Sequence, residues 1–461
     1  MKIRFADTLT SRDTHRHIPH YFHVPEGTTR LHVEFSYEPR FSAGQSNHNQ
    51  MSLSLADPAG PRGVYYLFRE YGITIDEVQP TPGFNAGPVR PGTWLIEVDT
   101  YRLLPPDDIR YVIDVELSSE PIDGPPVVYR RPERASRGPG WYRGDLHSHS
   151  LHSDASWDVP DLVAFARRRG LDFVTLTDHN TVSGLPQHES LATNDLLTMG
   201  GLELTTYYGH AVVLGTRRWF EWRLDTPERH TMRELAQQVL DAGAFFVTAH
   251  PMSPGDPECS GCHWEFQDMR PGNSQAVEVW NGGWGRYNEM SLQLYYSWLN
   301  EGHRLVATAG SDLHGDPGER WPRWGVNVVY AEDLTEEAVL AGLRNGHSYI
   351  SSGPELLLTG RARDAAGAEV RAMCGDTLPA FGAGVEARWS GAGEGDRVRL
   401  VVDGAVVEEV PAGRDGSRAW QVGERASWCT VELRDASGEL HAVSNPIYLV
   451  RAAGRAEAGA S

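Results

Sequence analysis

Two histidines one residue apart, in the run Asp145-Leu-His-Ser-His-Ser150, can grip a single metal ion. On extended backbone alternate side chains share a face, so the imidazoles of His147 and His149 project the same way. Either histidine alone would read as a surface or satisfied core residue, but its neighbours change that reading. His152-Ser-Asp154 follows at once, and Thr177-Asp-His-Asn180 carries His179. Gly201-Leu-Glu-Leu-Thr205 sets Glu203 inside an apolar run, Ala249-His-Pro251 supplies His250, and Ser311-Asp-Leu-His314 supplies Asp312 and His314. Mixed imidazole and carboxylate ligands suit Zn, Mn or Fe, and ligand type alone does not choose among them. A bound cation brings a coordinated water's deprotonation towards neutral pH, so the chemistry such a set could support is metal-assisted hydrolysis.

The elements that must position these groups follow from periodicity. From Trp141, apolar β-type runs alternate with helical patterns, as βα units require. A helix is predicted from about Val159 to Arg169, with Asp158 as N-cap, Pro160 in the first turn and Gly170 past the end. Strand Leu171–Thr177 follows. A helix from near Thr231 precedes Ala244–Thr248, and a helix near Asn288–Glu301 stands between Ala276–Trp280 and Arg304–Thr308. The candidate ligands then recur at the carboxyl ends of successive strands, where barrel enzymes place catalytic groups. Residues 1–120 show short alternating runs such as Arg30–Ser36, Met51–Leu55, Trp94–Val98 and Tyr111–Leu117, which predict a β-sandwich. Residues 121–140, rich in Pro, Arg and Gly, read as a linker. Residues 141–354 form the candidate catalytic unit, 355–451 a second small β domain, and 452–461 a frayed tail.

The order His147, His149, Asp154, His179, Glu203, His250, Asp312, His314 resembles the motif order of the PHP (polymerase and histidinol phosphatase) superfamily over Trp141 to about Pro354. Gly-Leu-Glu-Leu-Thr-Thr, the later Gly-His-Ala-Val-Val-Leu-Gly and Ala-Val-Glu-Val-Trp-Asn-Gly look like its carbaryl-hydrolase-like branch. The resemblance implies an α/β fold, a distorted (β/α)7 barrel, flanked here by the two β-sandwich domains, and two or three divalent metal ions. It implies that His147, His149, Glu203 and Asp312 hold the first metal, that Glu203 bridges to a second bound by His250, and that Asp154, His179 and His314 hold a third. A further ligand, often His or Cys in that family, is not evident; Glu278 or Asn281 occupies the matching region. Glu203, Asp312 and His210 are the candidate catalytic residues, His210 as a donor to phosphate or leaving group or else as a structural histidine.

Other positions carry weaker signals. Asp145 and Asp178 stand beside ligands, either to orient imidazoles or simply as strand-end carboxylates. Arg286, Arg320 and Arg323 could bind a substrate anion, although an exposed, solvated arginine is the simpler reading of each. Cys259-Ser-Gly-Cys-His263 matches the haem-attachment spacing without the rest of a haem site; it reads as a loop feature near the site entrance, with a local redox or metal site as the alternative. His15, His17, His20 and His23 read as surface histidines without acidic or thiol partners, and Tyr65, Tyr66 and Phe68 as strand residues serving a core.

A formal charge of -20 repels extended polyanions, so duplex nucleic acid is not an expected partner, whereas a small anion held by metal ions is. With no signal-like N-terminus, no long apolar run and only four cysteines, the expected setting is the cytoplasm, away from a membrane; homo-oligomers are compatible with the sequence. The leading expectation is hydrolysis of a small phosphate mono- or diester. A carbamate, ester or amide is the alternative, its apolar slot including Trp280 and Trp284, and an inert scaffold displaying β domains is the non-enzymatic one.

Overall fold

The structure is a computed structural model that describes residues 1–66, 72–224, 231–318 and 323–451. The expected positions Phe68 and Arg320 and the tail 452–461 lie outside the described residues.

Alternation dictates the first eight strands: β1 (Lys2–Leu9), β2 (His17–Val24), β3 (Arg30–Glu38), β4 (Gln50–Asp57), β5 (Gly60–Tyr65), β6 (Ile73–Ile75), β7 (Gly92–Arg102) and β8 (Ile109–Ser118). They pair antiparallel as β1-β8-β3-β6 and β2-β7-β4-β5. Leu31, Val33 and Phe35 of one sheet and Trp94, Ile96 and Val98 of the other fall in one shared core. Each such buried side chain contributes roughly 1.5–3 kcal/mol of apolar transfer. Residues 121–139 contain neither helix nor strand, but they are tied down: Arg134 donates to the Thr193 and Leu334 carbonyls, each at 2.6 Å.

The central region comprises β9 (Gly140–Asp145), α1 (Val159–Arg168), β10 (Phe173–Leu176), α2 (Leu185–Ser190), β11 (Leu197–Thr205), β12 (His210–Leu214), α3 (Met232–Asp241), β13 (Phe245–Thr248), β14 (Ala276–Asn281), α4 (Arg286–Asn300), β15 (Val306–Gly310), β16 (Val326–Ala331), α5 (Glu336–Arg344) and β17 (Ser348–Ser351). The predicted caps operate. Asp158 closes a capping box with Asp161, Gly170 takes φ +65°, and Thr231 accepts from the Glu234 N–H at the start of α3. α1 turns Leu162, Val163, Phe165 and Ala166 inward.

The expected closed barrel of repeating βα units is corrected in two respects. β12 runs antiparallel to both β11 and β13, because the four residues between Thr205 and His210 are too few for a crossover helix and make a tight turn instead. The sheet is also open: its order runs β15-β14-β13-β12-β11-β10-β9-β16-β17, with no ladder from β15 to β16 or β17 among the described residues. Side-chain amides span that gap. Asn327 accepts from the Ala309 N–H and donates to the Ala309 carbonyl, and Asn445 does the same with Ala307, so the buried β15 edge is satisfied without a paired strand.

The final strands are β18 (Glu355–Arg363), β19 (Glu369–Met373), β20 (Thr377–Pro379), β21 (Gly384–Ser390), β22 (Arg397–Val402), β23 (Ala405–Pro411), β24 (Gly416–Gln421), β25 (Trp428–Arg434), β26 (Leu440–Ser444) and β27 (Ile447–Val450). They do not form a separate pair of sheets. β19-β18-β21-β24 stand alone, whereas β17 pairs with β26 and carries the central sheet on through β25, β22 and β23.

One buried histidine of this scaffold has a testable cost. Burial pushes the His188 imidazole, on α2, down to about 3 from its ordinary 6.5, with Arg217 adding to the effect against Asp178. The unfolded chain therefore binds one more proton between those values. The stability contributed by the neutral ring is full above pH 6.5 and is lost as the pH falls towards 3, at up to about 1.4 kcal/mol per pH unit. His188→Leu is expected to flatten the acid limb of stability by that slope in urea titrations at pH 6.5 to 4; an unchanged limb would refute the assignment.

Candidate metal centre

The ligand residues converge on one edge of the central sheet. His147 and His149 follow β9, His179 follows β10, Glu203 lies near the end of β11, His250 follows β13, and Asp312 and His314 follow β15. Four atoms define a first cluster. His147 Nε2 stands 3.3 Å from Glu203 Oε2 and 3.5 Å from Asp312 Oδ1, while His149 Nε2 stands 3.5 and 2.9 Å from the same two oxygens. All four atoms are buried without a hydrogen-bond partner. Ligands tetrahedrally arranged at about 2.1 Å from one ion stand about 3.4 Å apart, so the spacing fits a Zn-sized cation.

Glu203 serves two clusters. Its Oε2 faces the first, and its Oε1 lies 3.0 Å from His210 Nδ1 and 3.3 Å from His250 Nε2. Glu203, His210 and His250 form a second group able to hold a metal. His210 thus takes the place in this group for which Glu278 and Asn281 were the candidates. The reason is the direction of β12: an antiparallel strand presents its first residue, here paired with Thr205, at the edge where parallel strands present their last.

Asp154, His179 and His314, with His149, make the third group. Asp154 Oδ1, itself unpartnered, is 3.1 Å from His314 Nε2 and 3.5 Å from His179 Nε2. Burial would raise the Glu203 and Asp312 carboxyls, but the surrounding histidines outweigh it and hold both well below the usual range. Burial pushes His149 down to about 4, with His314 and His179 adding to it, leaving the neutral form that ligates. His314 is pushed up to about 10 because Asp154 and Asp312 overcome its burial, so a cation entering the third group displaces that proton.

The imidazoles are aimed by partners on their other nitrogens. His147 Nδ1 pairs with Glu278 Oε1 at 2.9 Å, His179 Nδ1 with Thr205 Oγ1 at 2.5 Å, His250 Nδ1 with the Cys262 carbonyl at 3.2 Å and His314 Nδ1 with the Asp312 carbonyl at 2.8 Å. Glu278 also accepts the His250 backbone N–H and an Asn281 N–H, and so is engaged as a positioning carboxylate. Gly310 makes room for it: a Cβ there would collide with both Glu278 and His147. Glu278→Gln is expected to weaken metal affinity 10–100-fold while the fold persists, measured by competition with a chromogenic chelator; unaltered affinity would remove Glu278 from this role. Asp145 and Asp178 do not touch imidazoles. Asp145 accepts from Ser311 and the His147 backbone, Asp178 from Ser150 and Ser153, so both brace loops. His250 and Asp312 adopt φ of +27° and +51°, and Asn180, next to His179, +53°. Each such residue costs on the order of 1–3 kcal/mol, which the packed surroundings must offset.

A pocket of about 240 Å³ opens on the three groups, walled by His48, Gln50, Tyr66, Tyr101 and Arg102 from the N-terminal strands and their connections and by Cys259 and Cys262. Of these, His48, Gln50, Tyr101 and Arg102 carry no motif and were not among the sequence candidates, whereas Cys259 and Cys262 had been read as a loop feature near the entrance. Tyr66, expected in a core of its own domain, lies with its ring centroid 4.3 Å from that of His179. Cys259 and Cys262 form a disulfide. Arg102 joins the two regions, donating to the His48 carbonyl at 2.9 Å and the Pro257 carbonyl at 2.5 Å. His17, expected at the surface, is buried against Asp99 at 2.6 Å with Glu97 nearby, because β7 brings both carboxylates beside β2. His20 meets Tyr111, His15 meets Asp256, and His23 is exposed. Arg286 meets Tyr287 outside the pocket, and Arg323 lines a different cleft.

No family model matches the chain. It is similar to an uncharacterized protein of Methanocaldococcus jannaschii, 23% identical over 124 residues that cover 24% of this chain and 69% of that one. Solved structures similar to it include a two-domain protein from Bacteroides vulgatus described as containing a PHP-like metal-dependent phosphoesterase, with TM-score 0.39 and 14% identity, covering 70% of this chain and 100% of that one. A protein from Bifidobacterium adolescentis described as a metal-dependent phosphoesterase matches with TM-score 0.30 and 18% identity over 43% and 94% of the two chains. An amidohydrolase from Chromobacterium violaceum, solved with sulfate and no metal, matches with TM-score 0.28 and 17% identity over 38% and 88%. Among the described residues, no helix is long and apolar enough to cross a membrane.

Proposed function

We propose that this chain is a metal-dependent hydrolase of the PHP superfamily acting on a small phosphate mono- or diester, with residues 141–354 as its catalytic unit. The observation that carries the proposal is the buried set of ligand atoms divided between the two oxygens of Glu203: unpartnered atoms of His147, His149 and Asp312 gather on the Oε2 side, and His210 and His250 are hydrogen-bonded to Oε1. When bound, two or three divalent cations supply water activation near neutral pH and neutralise charge on the substrate. His147, His149, Glu203 and Asp312 hold the first, Glu203, His210 and His250 the second, and Asp154, His179 and His314 the third. His210 therefore moves from substrate donor to ligand.

The pocket volume suits a metabolite-sized substrate, and the cationic Arg102 on its wall favours an anionic one. The rival carbamate reading invokes a slot including Trp280 and Trp284. Trp280 is buried instead, donating its Nε1–H to the Gly282 carbonyl at 3.0 Å, and neither tryptophan lines the pocket. The test is turnover of para-nitrophenyl phosphate, bis-para-nitrophenyl phosphate and an aryl carbamate by metal-loaded protein, with His147→Ala and Asp312→Ala alongside. Preferential phosphate-ester hydrolysis lost in both variants is the expected result. Carbamate preference would overturn the substrate class, and no turnover with metal bound would favour the inert scaffold.

A further inference from the structure

We propose that the cleft between the end of α1, the outer face of β9 and the residues leading into β16 is a second binding site, for a small anion bearing two or more phosphoryl groups. It does not rest on the proposed hydrolysis, and it shares no lining residue with the metal pocket. The cleft encloses about 240 Å³, and four of its lining residues are arginines: Arg143, Arg168, Arg169 and Arg323. No carboxylate lines it among the described residues. In a chain of net charge -20, four guanidinium groups gathered without a lining acid stand against the overall composition. Like charges held together cost free energy that a bound polyanion recovers.

Two of the four are held in place. The Arg169 guanidinium lies 4.3 Å from the ring centroid of buried Trp324. Arg323 Nη1 stands 2.7 Å from His441 Nε2, which must accept; the ring proton then sits on Nδ1, 3.1 Å from buried Asp396 Oδ2. Arg143 is half-buried, and its Nε is enclosed without a hydrogen-bond partner. Arg168 lies 5.7 Å from the Phe165 ring centroid and 3.9 Å from Asp316, the latter a pairing of two exposed side chains and worth little. Planar forks fixed in this way match the paired oxygens of phosphoryl groups, and their positions do not have to be bought from flexible chains on binding.

The experiment is calorimetric titration of inorganic pyrophosphate into the metal-loaded full chain and its Arg143→Gln/Arg169→Gln double variant, with Arg323→Gln as a separate, milder change. The wild type is expected to show a class of site that the double variant weakens at least about ten-fold, with thermal midpoint and para-nitrophenyl phosphate turnover unchanged in both variants. ATP should compete for that class and adenosine should not; competition by adenosine would overturn recognition through phosphate. Equal binding by wild type and double variant, or loss of all pyrophosphate binding in Glu203→Gln, would place every anion at the metal centre and overturn the proposal.

Discussion

Glu203→Gln is expected to lower kcat/KM for the preferred phosphate ester at least about 1000-fold, equivalent to about 4 kcal/mol of transition-state stabilisation. The two oxygens of Glu203 face different clusters, and the side chain is wholly buried among His147, His149, His179, His210 and His250. Glutamine keeps the volume but removes the negative charge and turns an N–H₂ towards nitrogens or a cation that need an acceptor. Both the first and the second group are then damaged by one substitution, so metal content by mass spectrometry is expected to fall with activity. Circular dichroism and the thermal midpoint of the metal-free forms show whether the fold survives. A folded variant with full metal content and activity within ten-fold of wild type would sink the bridging role.

Chelation is the second large effect. Removing bound metal is expected to abolish activity and lower the thermal midpoint by about 10–20 °C, both restored by Zn or Mn. Each ion present at 100 times its dissociation constant stabilises the folded state by about 2.7 kcal/mol, and two ions by roughly twice that. For a unit of some 200 residues, about 2–4 °C follows from each kcal/mol. The direction follows from the site: imidazole and carboxylate atoms are gathered and buried about 3 Å apart only in the folded chain, so a cation that binds them stabilises that state. A protein verified to be metal-free that keeps its midpoint and turnover would show that the clusters neither hold structural ions nor support catalysis.

Much of the local structure was legible in the chain because it depends on near neighbours. Asp158, Pro160 and Gly170 bracket α1 through caps and backbone preferences that act within a few residues. Alternation in Arg30–Ser36 and Tyr111–Leu117 marks β3 and β8 for the same reason. The eight candidate ligands were legible as candidates, since imidazoles and carboxylates at strand ends declare their chemistry by type and spacing, and the structure brings them to one edge. The direction of β12 was not. Its apolar run reads identically parallel or antiparallel, and only pairing with both β11 and β13 puts His210 beside Glu203.

The same limit governs the rest. Glu278 looks like a ligand by type, but its oxygens are committed to His147, His250 and Asn281 by packing across β14. The open edge at β15 is spanned by Asn327 and Asn445, whose amides could serve any turn until a distant strand approaches. Tyr66 and Arg102 become pocket walls, and Arg143, Arg169 and Arg323 become neighbours, only when segments far apart in the chain meet. Residue type and short-range periodicity, which the sequence carries, determined the candidate chemistry and most element boundaries. Strand direction, the partner of each polar atom and the walls of both clefts are long-range contacts, and tertiary packing alone decided them.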